Sequence, residues 1–179
     1  GPGEEVEALL SSAQQKIEER NWSDASDIAQ KILQLDPESH IGFGALIRSM
    51  IGLNKFTEVK EIIDALAVEI KNSKPVIDAL SSLDASEKAF KAKENIQVLK
   101  ENLKKDPENL DFLLEMAIAL FGNNEIEASF NMLLKSINID REWQDQAARK
   151  QLLEFFTSAG FEAKETINAR RKLATLLFS

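Results

Sequence analysis

One four-residue phrase recurs along this chain, and the spacings between its copies are multiples of one length. Leu35-Asp36-Pro37-Glu38 and Lys105-Asp106-Pro107-Glu108 stand 70 residues apart, and a weaker copy, Ile139-Asp140-Arg141-Glu142, follows 34 residues after the second. A second set of markers, 34 and then 70 residues apart, consists of Trp22, Phe56 and Ile126. These intervals equal one period and two, so the sequence predicts a repeat protein with a unit of about 34 residues.

The residue types that dominate the chain favour helix. With only 7 Gly, 4 Pro and no Tyr, and with few alternating β-branched runs, little material remains for strands. Apolar residues instead recur at helical spacing, as in the stripe from Val6 to Ile17. Asp36-Pro37 ends the second helix, because a proline disfavours helix in the residue before it. We therefore expect an all-α fold.

The markers divide the chain into consecutive units. We interpret residues 1–3 as a linker or cloning remnant and 4–179 as a single α-solenoid domain. The domain comprises repeats over about 4–37, 38–73 and 108–141, a degenerate unit over about 74–107, and a capping helix pair over 142–179. In the degenerate unit, Ser86 to Asn95 lacks a clear turn, and we expect a helix break there.

Small residues mark the places where paired helices would cross closely. Ala13 and Ala117 lie in the first helix of their units, and Ala25 and Ser129 lie in the second. Tetratricopeptide repeats place small side chains at such positions, and their unit is a helical hairpin of this length. The sequence thus resembles a tetratricopeptide-repeat protein, which implies a right-handed superhelix of about ten helices closed by the C-terminal pair.

The second unit departs from this pattern of small residues. Ile47 and Val59 stand where the other units have Ala or Ser. Larger side chains at a helix crossing hold the two backbones apart. We therefore expect the two helices of the second unit to be more widely spaced.

The C-terminal part of the chain carries a more specific resemblance. It rests on Ile139-Asp140-Arg141-Glu142-Trp143, on the segment from Gln146 to Phe156, and on that from Ala169 to Phe178. In these segments, and in its order of repeats, the chain resembles the repeat region of the bacterial thioredoxin-tetratricopeptide fusion proteins, the chaperedoxin (YbbN-like) family. That family's thioredoxin domain is absent from this sequence, and Gly1-Pro2-Gly3 would stand where it was removed.

The resemblance implies a function. It implies a cytoplasmic, non-catalytic interaction module of a co-chaperone, which holds unfolded client proteins and docks on a chaperonin. The alternative is a passive scaffold that attaches the absent redox domain to one specific partner. Redox activity in the family belongs to the thioredoxin domain, so no residue here inherits it.

Composition excludes several kinds of site. The chain has no Cys, which excludes disulfides, thiolate metal sites and cysteine nucleophiles. Its one His, His40, follows a Pro-Glu-Ser helix start and leaves no multi-histidine metal site. No phosphate-binding loop or nucleophile-base pair is present either. We expect no enzyme activity and no cofactor.

Charge and hydropathy argue against two classes of partner. The net charge is -8, whereas binding to nucleic acid needs clustered Lys and Arg to neutralise phosphates. Residues 1–73 carry 7 basic and 13 acidic side chains, and residues 143–179 carry 6 and 4. The longest apolar stretches, such as Leu113 to Phe121, are too short to cross a bilayer. We expect neither a nucleic-acid nor a membrane partner.

The first candidate surface is a groove. In a tetratricopeptide superhelix the first helix of each hairpin faces the concave side. The predicted groove residues are Leu10, Gln14, Ile17, Ile41, Arg48, Ile51, Leu114, Ile118 and Phe121. This mostly apolar set suits extended hydrophobic segments, because burying a Leu-sized side chain is worth about 1.5–3 kcal/mol. The alternative is that the C-terminal helices cover these residues as core.

The second candidate surface is basic and lies on the last two helices. Its residues are Arg149, Lys150, Arg170, Arg171 and Lys172. Such a group could dock on an acidic partner surface and speed association by electrostatic steering. The alternative needs no partner, because Arg and Lys near the end of a helix stabilise its dipole.

Overall fold

The computed structural model describes residues 1–179 and contains no strand, which confirms the all-α prediction. Its α-helices are α1 (Pro2–Glu18), α2 (Trp22–Leu35), α3 (His40–Gly52), α4 (Phe56–Ala65), α5 (Val68–Lys71), α6 (Lys74–Leu80), α7 (Leu83–Ala92), α8 (Ile96–Lys105), α9 (Leu110–Gly122), α10 (Ile126–Ile139), α11 (Trp143–Ala159) and α12 (Lys164–Leu177). A 3-10 helix, Lys93–Asn95, joins α7 to α8. Leaving aside the short α5 and α6, there are 10 helices, which agrees with the expected number.

The chain forms two compact units, Gly1–Asp84 and Ala85–Ser179. The N-terminal unit has a core around Ala13, Ala29 and Ile32. The C-terminal unit has its main core around α10, α11 and α12. The single solenoid domain over 4–179 stays a prediction.

The backbone turns of three hairpins are alike. The first residues of α2, α4 and α10 are the markers Trp22, Phe56 and Ile126. Two residues before each marker the backbone is left-handed, at Arg20 (φ 55°), Asn54 (φ 61°) and Asn124 (φ 61°). The next amide then donates to the carbonyl five residues earlier, as from Lys55 to Met50 at 2.9 Å. This hydrogen bond is typical of a Schellman helix end. The same turn geometry therefore recurs with the period of the sequence repeat.

The Asp-Pro-Glu phrases join one hairpin to the next. Asp36 and Asp106 are the C-cap residues that directly follow α2 and α8. Three residues later, Ser39 Oγ accepts a hydrogen bond from the Gly42 amide at 2.9 Å, and Asn109 Oδ1 accepts one from Phe112 at 3.0 Å. These N-caps satisfy amides that the first turn of a helix leaves without partners.

The small residues of the hairpins are buried. Ala13 is 1% exposed, and Ala25, Ala117 and Ser129 are fully buried. In the C-terminal unit Ser129 Oγ donates to the Ala117 carbonyl at 2.6 Å, which joins α10 to α9. At Ser129 and Ala117, small side chains thus let α9 and α10 approach closely.

The second unit is arranged differently, in agreement with its large residues Ile47 and Val59. Its first helix, α3, packs more extensively on α6 than on α4. The approach is close at Gly44, where an added Cβ would lie 2.8 Å from the Pro75 carbonyl oxygen. The space beside α3 is thus occupied by α6.

The expected break between Ser86 and Asn95 is only partly correct. Residues 86–92 continue α7, and only Lys93–Asn95 depart from α-helix. The actual turn comes earlier, at Ser81 and Ser82, between α6 and α7. The helix persists because Ala85 and Ala89, one turn apart, are buried.

In the C-terminal unit both α11 and α12 pack on α10. Phe130 of α10 contacts Phe156 of α11 edge to face, with ring centroids 5.2 Å apart. Arg141 donates a hydrogen bond to the Leu176 carbonyl at 2.9 Å, which holds the end of α12. The first turn of α11 is left-handed at Gln144–Gln146, with φ of 45°, 55° and 62°. None of the helices combines the length and hydropathy that crossing a bilayer requires.

Candidate protein-binding surfaces

The N-terminal unit contains an open cavity of about 630 Å³, here called the N-terminal cavity. It is bordered by α1, the α2–α3 connection, the start of α3, and α5 and α6. Its lining residues are Val6, Leu10, Asp36, Glu38, Ser39, His40, Ile41, Glu69, Ser73, Lys74 and Pro75. Two of these, Leu10 and Ile41, belong to the predicted groove. The structure therefore brings this pair of groove residues to one cavity, and Ile41 is 54% exposed there.

Three other predicted groove residues of this unit do not line the cavity and contact other side chains instead. Gln14 is exposed and donates to Glu18 Oε1 at 3.2 Å. Ile17 is half-buried against the core of the unit. The Arg48 guanidinium lies over the Trp22 ring, 4.6 Å from its centroid. Burial lowers the pKa of Arg48 to about 10, and the nearby charge of Arg20 contributes. Its cation thus belongs to a packed contact with Trp22.

The assignment of Ile51 to an accessible groove is wrong. Ile51 is 2% exposed and is a core residue. The reason is that α1, α2, α4 and α6 all pack on α3. A helix covered from several directions keeps few open faces, so a periodic assignment of one face to the groove fails here.

The groove residues of the C-terminal unit lie at the edge of its core. Leu114, Ile118 and Phe121 are all partly buried against the cluster that contains Leu152 and Phe155. The Phe121 ring stacks on the Phe155 ring of α11, with centroids 3.9 Å apart. Phe121 is thus covered by a C-terminal helix, which is the alternative stated above for the groove residues.

Three of the five predicted basic residues are exposed on α12. Arg170 is exposed, and Arg171 and Lys172 line a cavity of about 260 Å³. Its remaining lining residues are Glu127, Phe130, Asn131, Glu165, Asn168 and Ala169. Lys172 Nζ lies 3.5 Å from Asn131 Oδ1. Because two carboxylates share this cavity with two cations, its charges largely balance.

The other two basic residues bind the left-handed turn of α11. Lys150 Nζ donates to Asp145 Oδ2 at 2.9 Å, and this contact holds the pKa of the Asp145 carboxyl below its ordinary value. Arg149 Nη1 donates to Gln146 Oε1 at 3.3 Å. Its Nε is buried and has no hydrogen-bond partner. Arg149 and Lys150 therefore have structural neighbours within their own helix.

The sequence patterns do not identify the polar border of the N-terminal cavity. Asp36 and Glu38 belong to the repeated phrase, which indicates a helix boundary, and Glu69 lies on α5, which is too short to show a period. Glu69 lies near Asp36 and Glu38 because α5 packs on α6, and α6 packs on α3. No group of three or more His, Cys, Asp or Glu side chains is placed to hold a metal ion.

A family match supports the helical-repeat fold in one part of the chain. Residues 90–178 match the tetratricopeptide repeat family. No curated protein matches the chain. A solved domain of protein VP0806, of unknown function, from Vibrio parahaemolyticus is similar at 16% identity and a TM-score of 0.47, over 94% of this chain and 98% of that one. Residues 90–178 are thus similar to tetratricopeptide repeats, and the chain has an all-α, tetratricopeptide-like fold.

Proposed function

We propose that this chain is a non-catalytic protein-interaction module. Tetratricopeptide repeats generally bind protein partners, because stacked hairpins present long surfaces to them. The observation that carries the proposal is the N-terminal cavity, where Leu10 and exposed Ile41 present apolar surface beside polar groups. Concave surfaces that combine apolar side chains with polar groups that fix orientation are common binding sites.

The finer proposal is that the module belongs to a cytoplasmic thioredoxin-fusion co-chaperone, which holds unfolded clients and docks on a chaperonin. Its support is the resemblance of the C-terminal segments to the chaperedoxin family. The exposed apolar side chains agree with it, since they offer contacts that need no particular client sequence. The most exposed of them are Val68 (70%), Val98 (62%) and Phe178 (89%).

Aggregation of a denatured enzyme tests the holding activity. Citrate synthase diluted from denaturant scatters light as it aggregates, and we expect this chain to suppress the scattering at near-stoichiometric ratios. Lysozyme at the same concentration controls for non-specific crowding. No suppression at a large molar excess would remove client holding from the proposal.

The alternative is a passive scaffold for one specific partner, favoured by the exposed Arg170 and Arg171 on α12. Arg is suited to such docking, because its guanidinium makes bidentate contacts with carboxylates. Capture from lysate separates the two functions. One saturable partner that is lost with Arg170→Glu/Arg171→Glu favours the scaffold, whereas many salt-insensitive clients favour holding. Lys100→Glu/Lys105→Glu, at two other exposed cations, is the matched control.

A further inference from the structure

We propose that the N-terminal cavity binds a peptide segment in which an apolar side chain lies next to Lys or Arg. This inference rests on the proposed function and names the chemistry of the partner. It is carried by three features of the cavity: an apolar lining, carboxylates at its border, and a lysine whose charge is already paired.

The apolar part of the cavity comes from three different elements. Val6 and Leu10 lie one turn apart on α1, Ile41 lies at the start of α3, and Pro75 lies on α6. Val6 and Leu10 are half-buried, and Ile41 is 54% exposed. An apolar side chain seated here would remove this surface from water, which is the main favourable term in such binding.

The charged groups of the cavity are mainly acidic. Asp36, Glu38 and Glu69 are all exposed, and none of the three forms an ion pair. The one lysine of the lining, Lys74, donates to Asp78 outside the cavity at 2.8 Å. His40 is the remaining titratable group of the lining. The cavity therefore has three carboxylates that form no ion pair. Its one ammonium, that of Lys74, is already paired with Asp78 outside the cavity.

This arrangement selects the charge of the occupant. A Lys or Arg beside the apolar anchor would face carboxylates that have no counter-charge, whereas an acidic segment would meet like charges. Repulsion of that kind acts against wrong partners, so the border contributes specificity. Partners that present a terminal carboxylate are accordingly disfavoured at this cavity.

Fluorescence anisotropy with two matched peptides tests the proposal on the full chain. One fluorescein-labelled peptide alternates Leu and Lys, and the other has Glu in place of each Lys. We expect saturable binding of the Lys peptide that weakens as salt screens the charges. Equal affinity for the two peptides, or an affinity for the Lys peptide that does not change with salt, would overturn the proposal.

Substitutions then locate the binding. Glu38→Gln/Glu69→Gln should weaken binding of the Lys peptide about fivefold, since two exposed ion pairs are lost. Glu94→Gln/Glu108→Gln removes two exposed carboxylates of the C-terminal unit and should leave the affinity unchanged. Ile41→Ser should weaken binding while keeping its salt dependence. If both double variants weaken binding equally, net charge and not the cavity is responsible, and the proposal fails.

Two further measurements distinguish this proposal from the proposed function and from self-association of the chain. A chain that suppresses aggregation yet does not bind the Lys peptide would contradict the cavity proposal and leave the proposed function standing. The basic helix α12 of a second copy is the competing occupant. Dimers that form in sedimentation velocity and dissociate both in Glu38→Gln/Glu69→Gln and in Arg170→Glu/Arg171→Glu would assign the cavity to that helix and overturn the proposal.

Discussion

The ring of Phe121 lies flat on the ring of Phe155, with centroids 3.9 Å apart and an angle of 4° between the planes. Phe121 is on α9, whose periodicity predicts a groove-lining face, and Phe155 is on α11, in the C-terminal pair. The contact therefore places a predicted binding residue against a core residue. Within the C-terminal unit, the cap covers that part of the groove face.

Removing the Phe155 ring should destabilise the protein. Phe155 is 1% exposed, so Phe155→Ala leaves a cavity and should lower the free energy of unfolding by about 3–5 kcal/mol. Urea unfolding followed by circular dichroism at 222 nm measures the change. Phe178→Ala, at a side chain that is 89% exposed, should change it by less than about 0.5 kcal/mol. Equal effects of the two substitutions would contradict the packing of α11 in the core.

Gly122 should not tolerate a methyl group. At an open helix position Gly→Ala stabilises by up to about 1 kcal/mol. At Gly122, however, an added Cβ would overlap the backbone of Ala89 and lie 2.7 Å from the Phe90 nitrogen. Gly122→Ala should therefore destabilise by about 1–3 kcal/mol, because the backbones of α7 and α9 must separate. Gly3→Ala, with nothing near its added Cβ, is the matched comparison, and stabilisation by both would disprove the close approach.

Ser129 tests the small-residue positions of the hairpins. Its buried hydroxyl donates to the Ala117 carbonyl at 2.6 Å across the α9–α10 crossing. Ser129→Ala should cost about 0.5–1.5 kcal/mol, the net value of one hydrogen bond. Ser129→Leu should cost more, because its volume forces the two helices apart. The same urea titration measures both, and a Leu variant as stable as the Ala variant would show that the crossing has spare room.

The elements that the sequence predicts well have local signals. The proline after Asp36, the caps at Ser39 and Asn109, and the polar turns before Trp22 and Ile126 each act within a few residues. Because the same signals recur with one period, each strengthens the others. The boundaries of the hairpins that carry these signals are therefore predictable without knowledge of packing.

The candidate sites depend on packing between distant segments, and local signals miss them. Ile51 is core because α1, α2, α4 and α6 all pack on α3, and Glu69 of α5 lines the same cavity as Leu10 and Ile41. The left-handed turn at Gln144–Gln146 contains no Gly or Asn to indicate it. It nevertheless provides the hydrogen-bond partners of Arg149 and Lys150, which the sequence assigns to a docking surface.

Arg20 occupies a backbone position that the other hairpins give to asparagine. Its φ of 55° is left-handed, as at Asn54 and Asn124, and asparagine adopts this conformation with less strain than arginine does. The charge of Arg20 also disfavours the nearby Arg48 cation, since both are positive. Arg20→Asn should therefore raise the free energy of unfolding by about 0.5–1 kcal/mol, measured by urea titration. Asn124→Arg makes the reverse change at the equivalent turn and should lower it, so changes of the same sign in both variants would mean that the turns do not share one conformational constraint.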